Sequence, residues 1–169
     1  MPVSLPQLLA ARDARAALER DLIARHADCT LVVLTVVVPG AEKRTEASLL
    51  VARAACAALD KLLAAHCRHR LERDLATGFE AYWLVDLPQE EAKRLTVELE
   101  DTHPLGRLFD ADIILPEGRP LSRTELGAPP RRCLLCGRQA QDCARSRRHS
   151  VKELTEHIQA MLLEYYHVE

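Results

Sequence analysis

The sequence has few aromatic residues, no long apolar segment and no strong excess of one charge. Aromatic side chains make up 4% of the 169 residues, and the net charge at pH 7 is −2. Nucleic-acid-binding domains usually combine a basic surface with aromatic rings that stack on bases, so we expect no nucleic-acid partner. The longest apolar run, LVVLTVVV at 31–38, has eight residues. A membrane-spanning helix needs about 20, so we also expect no membrane span.

The N-terminal segment MPVSLPQLLAARDAR lacks the apolar stretch of a secretory signal peptide. We therefore expect a cytoplasmic protein. In that reducing compartment the six cysteines are free thiols or metal ligands rather than a disulfide framework. The chain length favours one domain over 1–169, with a core at about 28–123 and a Cys/Arg-rich loop and helix at about 128–169.

Hydrophobic periodicity predicts a helix followed by the order β-α-β-β-α-β. The run at 31–38 is expected to be a strand buried on both faces, because it is continuously apolar. The predicted elements are helices at 5–25, 45–66 and from Pro88 to about 103, strands at 31–38, 68–75, 79–86 and 108–115, and a last helix from Ser150. This order is typical of an α+β fold with a ferredoxin-like core, in which two helices cover one face of an antiparallel sheet.

Two aspartates, Asp110 and Asp112, alternate along the last predicted strand, within HPLGRLFDADI. The period of a strand puts both carboxylates on one face, with Cα atoms about 6.5–7 Å apart. Their repulsion is offset if a divalent cation such as Mg²⁺ binds between them together with substrate phosphates. Gly106 allows a phosphate to approach the backbone, and Arg107 supplies a forked donor. GRLFDAD therefore predicts a palm-like nucleotidyltransferase site, with a solvated edge strand as the alternative.

The sequence leaves the remaining catalytic groups open. A third carboxylate or a proton acceptor has several candidates near the motif, including Glu100, Asp101 and the preceding His103, which is also a common helix-ending residue. On the first helix, Arg15 lies within the apolar stripe, with Arg12 one turn earlier. These arginines either extend along the edge of the core or bind an anion.

The segment CLLCGRQAQDCARSRRH, at 133–149, combines cysteines and a histidine at metal-ligand spacing. Three thiolates and one imidazole form the donor set of a tetrahedral, structural Zn²⁺ site. Alternatively the cysteines are small packed residues, and the arginines bind phosphate near the start of the last helix. The residues concerned are Cys133, Cys136, Cys143 and His149 for the metal, and Arg145, Arg147 and Arg148 for the phosphate.

These motifs resemble those of one enzyme family. HPLGRLFDADI, LSR and PPRRCLLC with CARSRRH, together with LLAARDAR and VVVPGAEK, are similar to the apo-citrate lyase phosphoribosyl-dephospho-CoA transferases, also named citrate lyase holo-acyl-carrier-protein synthases. The resemblance implies transfer of phosphoribosyl-dephospho-CoA from triphosphoribosyl-dephospho-CoA to a serine of the citrate lyase acyl-carrier (gamma) subunit, with release of diphosphate. It implies that the metal and phosphate centre contains Gly106, Arg107, Asp110 and Asp112, and that further phosphate ligands are Arg12, Arg15, Lys43 and Arg123.

Two alternative functions remain open from the sequence. The same architecture can serve the related carrier of malonate decarboxylase. A non-catalytic zinc-binding module, in which the Cys/His segment and the basic loop dock a partner, is the second alternative.

Overall fold

A computed structural model describes residues 2–167 of the chain. This part contains five α-helices and a four-stranded antiparallel sheet, so the protein has an α+β fold. In chain order the elements are α1 (Leu5–Arg25), β1 (Thr30–Val36), α2 (Glu46–Leu63), β2 (Cys67–Leu75), β3 (Gly78–Val85), α3 (Gln89–Thr102), β4 (Phe109–Ile114), α4 (Ala140–Ser146) and α5 (Val151–His167), with 3-10 turns at Gly106–Leu108 and Arg123–Leu126.

The sheet has the strand order β2-β3-β1-β4, and every neighbouring pair is antiparallel. The continuously apolar strand β1 therefore lies between β3 and β4. Its alternate side chains enter two different apolar clusters, one on each face of the sheet. This arrangement explains why the strand has no polar face, as the sequence indicated. The strand that carries the two aspartates, β4, lies at an edge.

Both faces of the sheet are covered by helices. Helices α2, α3 and α5 pack on one face, where Trp83 and Phe109 are fully buried. Helix α1 packs on the other face, where its Leu22 meets Tyr82 and Ile114. The sequence did not indicate on which face α1 lies. Within residues 2–167, no helix is both long enough and apolar enough to cross a membrane.

One helix was missed by the sequence reasoning. Residues 140–146 were expected to belong to the Cys/Arg-rich loop, but they form α4, which ends at Arg147 in a left-handed conformation (φ 47°). A helix of seven residues shows too little periodicity to be recognised from its sequence. The start of α5 follows its capping signal, because Ser150 and Glu153 exchange reciprocal hydrogen bonds between side chain and backbone N–H.

Candidate active site and metal cluster

Asp110 and Asp112 lie on the same face of β4, as expected from the alternation of a strand. They pair with Thr35 and Val33 of β1, on the face covered by α1. The Thr35 hydroxyl donates a hydrogen bond of 3.2 Å to Asp110 Oδ2. The carboxylates keep 44% and 40% of their side-chain surface exposed. Both are therefore accessible from solvent although the strand itself is packed.

Each carboxylate has its own cationic neighbour within the chain. Arg131 Nη1 donates to Asp110 Oδ1 at 3.1 Å, and Lys93 Nζ lies 3.6 Å from Asp112 Oδ1. Lys93 comes from α3 and is buried; its Nζ also donates to the carbonyl of Ala111 at 3.3 Å. Burial and the neighbouring Asp110 raise the pKa of Asp112. The repulsion between the two carboxylates, which from the sequence was expected to be offset by a divalent cation, is thus already offset in part by two protein cations.

Glu100, from the last turns of α3, joins the edge strand to two arginines. Its Oε1 accepts a hydrogen bond of 2.9 Å from the backbone N–H of Ala111, on the unpaired edge of β4. Its Oε2 lies 3.5 Å from Arg123 Nη2 and 3.5 Å from Arg131 Nη2. The side chain is only 5% exposed, and burial raises the pKa of Glu100. Glu100 therefore holds Arg123 and Arg131 in place, and Arg131 in turn contacts Asp110.

These groups line a cleft of about 610 Å³, within the size range of small-molecule sites. One wall comes from α3, β4 and the segment around Arg123, and the other from Pro130 through α4. The cleft therefore contains parts of both the predicted core and the predicted C-terminal segment. Its charged lining residues are Lys93, Glu100, Asp110, Asp112, Arg123 and Arg131.

A second, smaller pocket of about 170 Å³ brings together three predicted phosphate ligands, Arg12, Arg15 and Lys43. Thr35 and Glu80 also line it. Arg15 Nη1 lies 3.7 Å from Glu80 Oε1, and Lys43 Nζ donates to the carbonyl of Val38 at 2.7 Å. Burial and the charge of Arg12 lower the pKa of Lys43. Because Thr35 lines this pocket and bonds Asp110, the pocket adjoins the aspartates on the same face of the sheet.

Gly106 and Arg107 lie in the 3-10 turn between α3 and β4. A Cβ atom on Gly106 would lie 2.4 Å from the Glu100 carbonyl oxygen, so glycine is needed for the close packing of this turn against α3. Arg107 is partly buried, and burial together with Arg131 and Arg123 lowers its pKa. A role of either residue in phosphate binding stays a prediction.

The predicted anion ligands after the C-terminal cysteines lie on the protein surface. Arg145, Arg147 and Arg148 are exposed, and within the described part of the chain they are not among the residues that line the cleft. Their role in phosphate binding therefore stays a prediction without contacts to support it. His103 is turned away from the cleft. Its ring packs on Phe109 and Tyr165 on the opposite face of the sheet, and its Nδ1 accepts the Leu105 N–H at 3.0 Å.

The three cysteines and the histidine of 133–149 converge, with all four ligand atoms within 4.8 Å of one another. Cys136 Sγ and Cys143 Sγ are 3.5 Å apart, close to the roughly 3.8 Å between sulfurs in a tetrahedral site with Zn–S bonds of about 2.3 Å. His149 Nε2 is buried and has no hydrogen-bond partner among the described residues. A hydrogen bond from the Arg138 backbone N–H is the main cause that lowers the pKa of Cys136 to about 6. The cluster can hold a metal ion.

Three residues of the cleft were not selected from the sequence. Glu100 was one of several acidic candidates, and nothing distinguished it before its bond to Ala111 was visible. Lys93 and Arg131 reach the aspartates from a helix and a loop that are 17 or more residues away in sequence. No local pattern reports such tertiary contacts.

An α+β protein whose cleft combines paired carboxylates with converging cations has the features of an enzyme that transfers phosphorylated groups. The chain belongs to the family described as "Apo-citrate lyase phosphoribosyl-dephospho-CoA transferase", whose sequence model matches residues 3–165. Relatives that carry this name occur in Shigella boydii serotype 18, Escherichia coli O157:H7 and Shigella sonnei. Each is 39% identical over 164 residues, which cover 95% of this chain and 88% of the relative.

Proposed function

We propose that this protein transfers phosphoribosyl-dephospho-CoA from triphosphoribosyl-dephospho-CoA to a serine of the citrate lyase acyl-carrier (gamma) subunit, with release of diphosphate. Family membership and the names of the relatives support the reaction. The single structural observation that carries the proposal is the pair Asp110 and Asp112, both facing a cleft that Lys93, Arg123 and Arg131 line with positive charge. Such a site suits a donor that is rich in phosphates.

Mg²⁺ is the cofactor we propose for the carboxylate pair. The residues fit this ion, because two accessible carboxylates on one strand, completed by substrate phosphates and water, are a typical magnesium ligand set. Asp110 and Asp112 would hold it, and the bound ion would neutralise charge on the phosphates of the donor. Arg131 and Lys93 already lie next to these carboxylates, so they are placed to contact the phosphates as well.

The chain's own residues supply binding and charge stabilisation. The carrier serine attacks the phosphorus that is joined to the ribose, and the bond from this phosphorus to the departing diphosphate breaks. Arg131 and Arg123, held by Glu100, offer guanidinium groups to the diphosphate as negative charge develops on it. Because Glu100 is buried and fixes both side chains, these donors need little rearrangement during the reaction.

The smaller pocket provides a second phosphate position. The donor carries phosphates in two places, the triphosphate and the diphosphate of its dephospho-CoA part. Arg12, Arg15 and Lys43 surround the pocket next to Thr35. We propose that this pocket binds one of the two groups while the other lies in the cleft.

The ferredoxin-like arrangement is our proposal for the core. An element order of β-α-β-β-α-β with the strand order β2-β3-β1-β4 supports it. We also propose one catalytic domain over 1–169, because core and C-terminal residues line the same cleft. For the Cys/His cluster we propose a structural Zn²⁺, on the basis of its donor set and its sulfur separation.

The reaction is tested by intact-mass measurement of apo-carriers after incubation with donor, Mg²⁺ and the protein. We expect the citrate lyase carrier to gain the mass of the prosthetic group with one diphosphate released for each carrier. The malonate decarboxylase carrier is the matched comparison. Modification of that carrier alone would reassign the acceptor, and modification of neither carrier would contradict the proposed function.

A further inference from the structure

Five arginines of the C-terminal segment form an exposed basic surface, here named the arginine rim. All five are exposed. Among residues 2–167 their side chains form no hydrogen bond or ion pair. The segment 130–149 contains a single acidic residue, Asp142, so its net charge is strongly positive. The members of the arginine rim are Arg132, Arg138, Arg145, Arg147 and Arg148.

The arginine rim adjoins the cleft without lining it. In α4, Ala140, Gln141 and Ala144 line the cleft, whereas Cys143 is buried at the metal cluster. Arg145 lies within α4, directly after Ala144, while Arg132 and Arg138 are chain neighbours of the lining residues Arg131 and Gln139. In the described part of the chain, none of the five rim arginines lines the cleft itself. They are therefore placed beside the entrance, where a macromolecule rather than a small donor would meet them.

The Cys/His cluster brings together the two stretches of chain that carry this surface. Cys133 and Cys136 lie between Arg132 and Arg138 in the sequence. The other three arginines lie between Cys143 and His149. Four ligand atoms within 4.8 Å of one another hold these two stretches of chain together. The cluster is thus the support of the arginine rim, which gives the cysteines a role outside the chemistry of the cleft.

We propose that the arginine rim binds an acidic surface of the acceptor protein, next to the residue that is modified. This inference rests on the proposed function, in which a protein hydroxyl must reach Asp110 and Asp112. A folded acceptor cannot enter the cleft, so its surface must contact the entrance while its serine reaches inside. Exposed guanidinium groups without intramolecular partners favour a carboxylate-rich partner surface and accelerate its association.

Donor phosphates and nucleic acid are the other anions that such a surface can attract. The position of the rim outside the cleft argues against donor phosphates. A net charge of −2 and an aromatic content of 4% argue against a nucleic-acid-binding protein. The experiment below distinguishes binding of donor phosphates and binding of nucleic acid from binding of the acceptor protein.

The test compares a charge reversal at the rim with a matched reversal elsewhere. The rim variant is Arg145→Glu with Arg148→Glu, and the control is Arg20→Glu with Arg53→Glu, two exposed arginines on α1 and α2. Transfer is measured with the apo-carrier varied, and donor affinity is measured by calorimetry. We expect the rim variant to raise the KM for the carrier by about tenfold or more, with donor affinity within about twofold of wild type. The control variant should change neither quantity.

Ionic strength and folding provide further readouts. The KM of the wild type for the carrier should rise with added NaCl, and that of the rim variant should rise less, because fewer charges remain to be screened. Melting temperature and metal content of the variant are compared with the wild type, and Arg145→Gln with Arg148→Gln repeats the test without reversed charge if the first variant is unstable.

Several results would overturn the proposal. These are an unchanged KM for the carrier, or a loss of donor affinity without an effect on the carrier. Binding of a short oligonucleotide is measured in parallel, and a variant that loses this binding while its KM for the carrier is unchanged would point to nucleic acid instead. A wild-type protein that modifies no carrier would instead contradict the proposed function, so the two failures are distinguishable.

Discussion

Arg131 donates a hydrogen bond of 3.1 Å from Nη1 to Oδ1 of Asp110, and so connects the C-terminal segment to the edge strand of the sheet. The same guanidinium contacts the Phe109 carbonyl and lies 3.5 Å from Glu100 Oε2. Arg131, which directly follows Pro129-Pro130, is therefore part of the site formed by the aspartates of β4. The segment 128–169 contributes directly to the cleft.

Asp112→Asn is expected to leave the protein folded and at least as thermostable as the wild type at about pH 7.5. Burial and Asp110 raise the pKa of Asp112, so the fold favours its neutral form. This favourable contribution is present at low pH and is lost as the pH rises through the folded-state pKa. Asparagine is neutral throughout, so the Tm difference should grow in favour of the variant from about pH 4 to about pH 7.5. Circular dichroism melts measure this difference, and a clearly lower Tm for the variant at neutral pH would contradict it.

Glu100→Ala is expected to destabilise the protein by about 2–4 kcal/mol, because it leaves the Ala111 N–H and two guanidinium groups without their buried acceptor. Glu100→Gln keeps an oxygen that can accept from Ala111, so its loss should be smaller. Urea unfolding of the two variants measures the free energies. An equal loss in both would mean that the charge of Glu100, and not its hydrogen bond to β4, carries the effect.

Arg131→Lys is expected to lower the transfer rate by about tenfold to a hundredfold, because lysine keeps the charge but cannot contact Phe109, Asp110 and Glu100 with one planar group. The exposed Arg53→Lys is the control, since Arg53 lies on α2, which contributes no residue to the lining of the cleft. Initial rates at saturating donor test the comparison. Activity of Arg131→Lys close to that of the control would exclude a specific role for the guanidinium fork.

Metal removal is expected to loosen the C-terminal segment while the sheet stays folded. The sulfur and imidazole ligands lie within 133–149, whereas the main apolar cluster is built by the strands with α2, α3 and α5. Hydrogen exchange with and without a chelator should show lost protection in 133–149 and retained protection in β1 and β3. Cys136→Ser should behave like the chelated protein, and Cys29→Ser like the wild type. Metal content well below one zinc for each chain, or exchange that is insensitive to the chelator, would argue against the zinc assignment.

The order of helices and strands was predictable because each element has a strong local signal. The apolar run of β1, the apolar stripe of α2 and the capping box before α5 each indicate whether the segment is a strand or a helix. The observed ends of these elements differ from the predicted ends by a few residues. The shared face of Asp110 and Asp112 follows from the period of a strand, and the spacing of the cysteines indicated the metal cluster. These features depend on residues that are close together in the sequence.

The remaining parts of the site depend on contacts that no local pattern encodes. Lys93 reaches Asp112 only because α3 packs beside β4, and no local pattern reports such a contact between a helix and a strand. Gly106 was assigned to phosphate approach, although its small size already has a reason in its distance to the Glu100 carbonyl. Arg131 belonged to a run of arginines in which nothing marked it as the one that contacts the aspartate.

The central claim is that the carboxylates of Asp110 and Asp112 are required for group transfer to a protein serine. The most direct measurement is the intact mass of the citrate lyase acyl carrier after incubation with triphosphoribosyl-dephospho-CoA, Mg²⁺ and either the wild type or Asp112→Asn. We predict that the wild type converts the carrier to its modified mass with release of one diphosphate, and that the folded variant leaves it at the apo mass. Conversion by Asp112→Asn at the wild-type rate would contradict the account.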